Sequence, residues 1–133
     1  MSLEEVWPKA DFITIHVPLL PETKGMFNTE TFAKCKKGVR IINCARGGII
    51  DEADLVKAIN NGQVAAAGLD VFEQEPPTYK ELVEHPKIVT TPHLGASTVE
   101  AQIKVAQEVA EQFVDATKNK PSKGVINPAT LKA

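Results

Sequence analysis

The sequence predicts an α/β fold, a parallel sheet with flanking helices. Short β-branched runs alternate along the chain with segments bearing helix-cap chemistry. Two of those runs are apolar at successive positions, the pattern of strands covered on both sides.

Ser2 to Ala10 reads as a weak helical turn interrupted by Pro8. Phe12 to Val17 (FITIHV) is the first strand, ended by Pro18. Asn28 can cap a helix through about Lys36, followed by Gly38. Val39 to Asn43 (VRIIN) is the second strand. Asp51 can cap the helix DEADLVKAINN, with Leu55, Ala58 and Ile59 on one face and Gly62 at its C′ position. Val64 to Val71 (VAAAGLDV) and Lys87 to Thr91 (KIVTT) are the third and fourth strands. The first and third runs are the doubly apolar ones; the other two carry basic residues.

Ser97 and Glu100 form the S-x-x-E pattern of a capping box and open the longest helix. Its Val99, Ile103, Ala106, Ala110 and Phe113 recur at three- and four-residue steps, an expected core-facing stripe. It ends near Asn119, where Pro121 to Gly124 begins an irregular tail.

At 133 residues with 43% hydrophobic and 24% charged residues, the chain has the composition of one soluble domain rather than of a disordered segment. The net charge of −2 with no basic run argues against nucleic acid or an anionic membrane surface as partner. No apolar stretch approaches the ~20 residues of a membrane helix, and no signal-peptide pattern opens the chain, which points to the cytoplasm. Cys35 and Cys44 provide neither a disulfide framework nor a paired metal motif, so no metal is expected.

Open parallel sheets bind ligands at the carboxyl ends of their strands. The residues there are His16-Val17-Pro18, Cys44 to Gly48, Asp70 to Pro77 (DVFEQEPP) and Pro92 to Gly95. Polar, reactive types gather in these loops, while the opposite turns (Gly25, Asn61-Gly62, Glu84-His85-Pro86) carry ordinary turn chemistry. Each residue also has a bland reading. Arg46 could be a surface cation paired with Asp51, His93 a loop histidine satisfied by backbone, and Glu75 a turn former. His85 reads as structural and Cys44 as a small buried residue. Gly47-Gly48 favours the functional reading of Arg46, because it removes side chains where a ligand or guanidinium could approach.

In combination the residues make a working set. A carboxylate beside a histidine orients it and favours its charged form, readying it to shuttle a proton near neutral pH. An arginine fork fits a substrate carboxylate bidentately. Such a set suits oxidation of a small-molecule α-hydroxy acid, with His93 taking the hydroxyl proton while a hydride leaves for a nicotinamide.

The motifs INCARGGIIDE (Ile42 to Glu52), LDVFEQEPP (Leu69 to Pro77) and PHLGAST (Pro92 to Thr98) resemble those of the D-isomer-specific 2-hydroxyacid dehydrogenases. His16 to Leu19 with Thr23-Lys24-Gly25 is similar too, so the resemblance covers nearly the whole chain. It implies a Rossmann-like fold and NAD as cofactor. It also implies Arg46 as binder of the substrate carboxylate, Glu75 as the residue that orients and charges His93, and His93 as acid/base. Val17, Pro18, Cys44, Ala45, Asp70 and Gly95 match positions that line the nicotinamide end of NAD in that family. Formate dehydrogenases, a related group, carry a glutamine at the place of Glu75.

The chain departs from a full dinucleotide-binding unit in one respect: G-x-G-x-x-G is absent. The fold is therefore expected to be incomplete, with about four strands. Residues 1–119 would form the C-terminal half of an NAD-binding domain, and 120–133 a tail leading back toward an absent substrate domain. An unpaired sheet edge and apolar surface then favour self-association, making a homo-oligomer the expected state. Two alternatives share the motifs: another 2-hydroxyacid dehydrogenase such as a glyoxylate or hydroxypyruvate reductase, and an NAD-responsive corepressor-like binding protein.

Overall fold

Residues 1–118 are described by a computed structural model. The expected tail at 120–133 lies outside the described residues. The chain divides into two units, Met1–Gly95 and a second beginning at Ala96.

In the first unit the order is α1 (Leu3–Val6), β1 (Phe12–Ile15), α2 (Thr29–Lys34), β2 (Val39–Asn43), α3 (Glu52–Asn60), β3 (Val64–Leu69), α4 (Lys80–Val83) and β4 (Ile88–Thr90). The four strands are parallel and stand in chain order, β1-β2-β3-β4. Ile15 pairs with Asn43, Asn43 with Leu69 and Leu69 with Thr90, so all four carboxyl ends stand in one row. With each crossover stepping the same way and right-handed, the helices belong on one face of the sheet.

The caps explain where the helices begin. Asn28 Oδ1 accepts from the Glu30 and Thr31 N–H groups, and Asp51 Oδ1 from Asp54 N–H, both as the sequence predicts. At the other end of α2, Gln63 Nε2 donates to the Phe32 and Cys35 carbonyls that the helix leaves open. Gly62 ends α3 at φ 78°, a left-handed position that costs glycine little. The core between sheet and helices contains Phe32, Val39, Ile41, Leu55, Ile59, Val64 and Leu82, all essentially inaccessible.

Several expectations need correction. The strands end at Ile15, Leu69 and Thr90, short of Val17, Val71 and Thr91. β1 is not covered on both faces: Phe12 is 64% exposed, with the Arg40 guanidinium 5.2 Å above its ring. Helices on a single face leave Phe12 and Thr14 of β1 and Val89 of β4 exposed, while Ile42 of β2 and the alternate residues of β3 are half-buried. β2, despite its basic residue, is well covered, because Val39 and Ile41 point into the core while Arg40 points out. A short helix, α4, also stands where only loop was expected. Its Leu82 is fully buried, and one anchored apolar residue in four gives little periodicity to read.

The second unit contains α5 (Val99–Thr117). Its N-cap is Thr98 rather than Ser97: Thr98 Oγ1 accepts from Ala101 N–H, one residue later than the S-x-x-E pattern indicates. The apolar stripe is present, but α5 buries none of its residues, so the expected core-facing role is not met.

Candidate active site

The strand ends bring the loops together through backbone contacts. Asp70 N–H donates to Asn43 O and Thr91 N–H to Leu69 O, continuing the strand pairing into the loops. After β1, Thr23 Oγ1 donates to Pro18 O and accepts from Leu20 N–H, folding the His16 to Gly25 segment on itself. Gly25 N–H then bonds Gly48 O and Phe27 N–H bonds Ile49 O, tying that segment to the loop after β2.

The loop after β2 is shaped by Asn43, a residue the sequence reading missed. Its side chain is 2% exposed; Nδ2 donates to Arg46 O and Oδ1 accepts from Ala45 N–H. A polar residue ending an apolar strand just before a Gly-Gly turn was the available signal. Asn43→Leu strands both loop groups without partners, an expected loss of about 1–3 kcal/mol. Urea unfolding measures it, and an unchanged midpoint would count against this account of the loop.

Among the described glycines, Gly47 is the one with no room for a side chain. A Cβ there would stand 1.7 Å from Phe72 O and 2.2 Å from Phe72 C. The glycine is therefore required by the backbone of the loop after β3, not by a ligand or by the guanidinium. Glu52, the first residue of α3, joins the same two loops by accepting from Glu73 N–H at 2.7 Å.

Glu75 and His93 meet directly, with Glu75 Oε2 2.7 Å from His93 Nδ1. Glu75 Oε1 accepts from Phe72 N–H at 3.1 Å, so the carboxylate both closes its own loop and holds the imidazole. The His93 hydrogen bond first, and the Phe72 amide second, hold the Glu75 carboxyl below its usual range. His93 lies at φ 58°, a left-handed conformation uncommon outside glycine.

Asp70 stabilises that conformation from below. It is 4% exposed; Oδ1 accepts from Thr91 Oγ1 and Leu94 N–H, and Oδ2 from Gly95 N–H. The Thr91 hydroxyl foremost, then the Leu94 amide, lower its pKa. Its contribution to stability is thus complete above the unfolded pKa of ~3.9 and fades as pH falls through the lower folded value. In Asp70→Asn the acid-side fall in urea midpoint should shrink, whereas a fall as steep as in the parent chain would contradict this role.

Val17, Pro18, Cys44, Ala45 and Arg46 line one cleft of ≈ 350 Å³ together with His16, which the sequence reading left out of the site. Glu75 and His93 line a second, of ≈ 240 Å³, with Phe72, Pro76, Pro77 and Pro92. The Glu75–His93 pair is thus assembled, Arg46 stands on the adjoining loop, and Asp70 and Gly95 bind each other. Cys44 is exposed, contrary to the reading of it as buried, because it follows the last residue of β2; Cys35 is the buried thiol. Arg46 Nη1 donates to Ala45 O, and Asp51 serves as the α3 cap, so the surface ion pair considered for them is not formed. His85 does act in its turn, accepting from Lys87 N–H. A larger groove, ≈ 440 Å³ between α2 and α3, holds none of the strand-end residues and lacks their chemistry.

Residues 1–95 match the family model described as "D-isomer specific 2-hydroxyacid dehydrogenase, NAD binding domain". The chain is 58% identical over 132 residues to D-3-phosphoglycerate dehydrogenase of Bacillus subtilis (strain 168), covering 98% of the chain and 25% of that protein. It is 56% identical over 131 residues to D-3-phosphoglycerate dehydrogenase of Homo sapiens, with the same two coverages of 98% and 25%. It therefore spans about a quarter of the length of the curated relatives it matches. Among solved structures, D-lactate dehydrogenase with NAD+ from Lactobacillus jensenii superposes with a TM-score of 0.87 at 28% identity, over 95% of this chain and 42% of that one. The incomplete Rossmann-like sheet, the motifs at its strand ends and the family match agree: the chain belongs to the D-isomer specific 2-hydroxyacid dehydrogenases, in their NAD binding domain.

Proposed function

We propose that the chain is part of an NAD-dependent D-3-phosphoglycerate dehydrogenase that oxidises 3-phosphoglycerate to 3-phosphohydroxypyruvate, the entry to serine biosynthesis. Residues 1–119 would be the C-terminal half of its NAD-binding domain. The observation that carries the chemistry is the 2.7 Å contact of Glu75 with His93 on loops at the strand ends. The identity of 58% to a named phosphoglycerate dehydrogenase, against 28% to the D-lactate enzyme, supports the substrate.

The residues fit one end of the cofactor. Val17, Pro18, Cys44 and Ala45 offer small side chains against which a nicotinamide ring could lie, in a cleft whose polar lining includes His16 and Arg46. Among the described residues the helix starts do not favour a pyrophosphate: the first turns of α2, α3 and α5 carry Glu30, Glu52 with Asp54, and Glu100, all repelling phosphate. Bound NAD supplies the hydride acceptor. Arg46 grips the substrate carboxylate. Glu75 accepts from His93 Nδ1, which leaves Nε2 to take the hydroxyl proton as the carbonyl forms. The carboxylate then stabilises the imidazolium until the proton is released. The same reading places the enzyme in the cytoplasm as a homo-oligomer; its exposed Phe12 and Val89 are suited to being covered by further protein. No helix among the described residues is long and apolar enough to cross a membrane.

NADH formation by the full-length protein tests this reading. 3-Phosphoglycerate should give the highest kcat/KM among D-glycerate, D-lactate and the phosphorylated acid, and the 133-residue chain alone should turn over negligibly. A preference for an unphosphorylated acid would transfer the assignment to another member of the family, and clear turnover by the short chain would overturn the half-domain reading.

A further inference from the structure

We infer that Glu52 is a positioning residue for the Glu75–His93 pair, acting through the backbone of the loop after β3. Its Oε1 accepts from Glu73 N–H at 2.7 Å. The neighbouring amide, Phe72 N–H, is the one that orients Glu75 Oε1, and Glu75 Oε2 in turn holds His93 Nδ1. One carboxylate at the start of α3 thus pins the Phe72–Glu73 peptide, next in the chain to the Val71–Phe72 peptide whose N–H aims a second carboxylate at the imidazole.

Capping does not account for Glu52, and a place in the first turn of α3 suits any carboxylate without directing it to a loop. The cap of α3 is already provided by Asp51, whose side chain accepts from Asp54 N–H. Glu52 instead reaches out of its helix to a loop 21 residues away in sequence. Its surroundings oppose a charge there: burial foremost, then the Glu73 and Asp51 carboxylates facing it, push its pKa up against the lowering by the Glu73 amide. A carboxylate kept in unfavourable company is better explained by what it holds than by its own stability. Gly47 works at the same junction, since its bare Cα lets the two loops touch at Phe72. The contact and the hydrogen bond together fix the loop carrying Arg46 against the loop carrying Glu75.

The kinetic part of the inference rests on the dehydrogenase reading, so the test adds a readout independent of activity. In the full-length protein, Glu52→Ala and Glu52→Gln are compared by kcat, KM and amide hydrogen exchange over residues 71–76. Glu52→Ala should speed exchange there and lower kcat about ten-fold with KM little changed, because the pair is loosened while substrate binding is kept. Glu52→Gln should restore both, since its amide oxygen still accepts from Glu73 N–H. Unchanged exchange in Glu52→Ala, faster exchange with unchanged kcat, or a Glu52→Gln as impaired as the alanine variant would each overturn the positioning role. A parent protein without dehydrogenase activity refutes the functional reading instead, and the exchange data still judge the hydrogen bond.

Discussion

Gly47→Ala is expected to lower kcat/KM about 10²-fold in the full-length enzyme, a larger loss than its single methyl suggests. The new Cβ would meet Phe72 O at 1.7 Å, and both partners are backbone, so neither can turn aside. The loops after β2 and β3 must separate by more than about 1 Å, a displacement that suffices for such a loss when it falls between reacting groups. Arg46 moves with one loop and Glu75 with the other. Stability should fall as well, by about 1–3 kcal/mol, the usual cost of overpacking. Steady-state kinetics and urea unfolding report the two effects. A variant with parent kinetics would show that the contact between these loops does not position the site.

His93→Asn should reduce kcat by about 10²–10⁴-fold, the range that general acid–base catalysis contributes. Asparagine is the informative replacement because it tolerates the left-handed backbone that His93 adopts at φ 58°. The loop held by Asp70 through Leu94 and Gly95 should stay in place, so NAD affinity should be nearly unchanged. Equal losses in kcat and NAD affinity would point to collapse of the loop, and a retained kcat would remove His93 from the chemistry.

The sequence was most informative where a local rule decides the outcome. Asn28, Asp51 and Gly62 mark helix ends by their own hydrogen bonding or φ, and each acts where expected. The strand ends were legible for a similar reason, since a parallel sheet places all its carboxyl ends along one edge. What was not legible depends on partners distant in sequence. Periodicity shows that Phe12 and Val89 are apolar, but only the arrangement of helices decides which face is covered. The stripe on α5 is real as a pattern, yet a pattern does not supply the surface that would bury it. Cys44 was misread as buried although the end of β2 at Asn43 was read correctly, because a small thiol's residue type does not say how open the loop beyond the strand is.

In the site, residue types were readable and their supports were not. Arg46, Glu75 and His93 each had a bland reading alone and stood out as candidates only in combination, at the strand ends and in motifs resembling the family's. Glu52 and Asp70 hold them through bonds to backbone groups 21 to 25 residues away, and side chain-to-backbone bonds over such separations leave no spacing rule in the sequence; Asn43 acts locally, on Ala45 and Arg46 of its own loop. Gly47 was visible as a glycine, but its reason lies 25 residues downstream at Phe72.

The central claim is that Glu75 charges His93 for proton transfer, and the pH dependence of 2-oxo acid reduction in Glu75→Gln tests it most directly. Reduction needs His93 as the proton donor. The hydrogen bond from His93 keeps Glu75 ionised below the usual carboxylate range, so the pair persists across neutral and mildly acidic pH. Glutamine can still accept from Phe72 N–H but carries no charge at any pH, so it cannot stabilise the imidazolium as the carboxylate does. The account predicts that Glu75→Gln reduces the oxo acid with a kcat about ten-fold or more lower, without the acid-side loss that protonation of Glu75 brings in the parent, and with the KM for the oxo acid little altered. Coincident kcat values and pH profiles for the two proteins would contradict it.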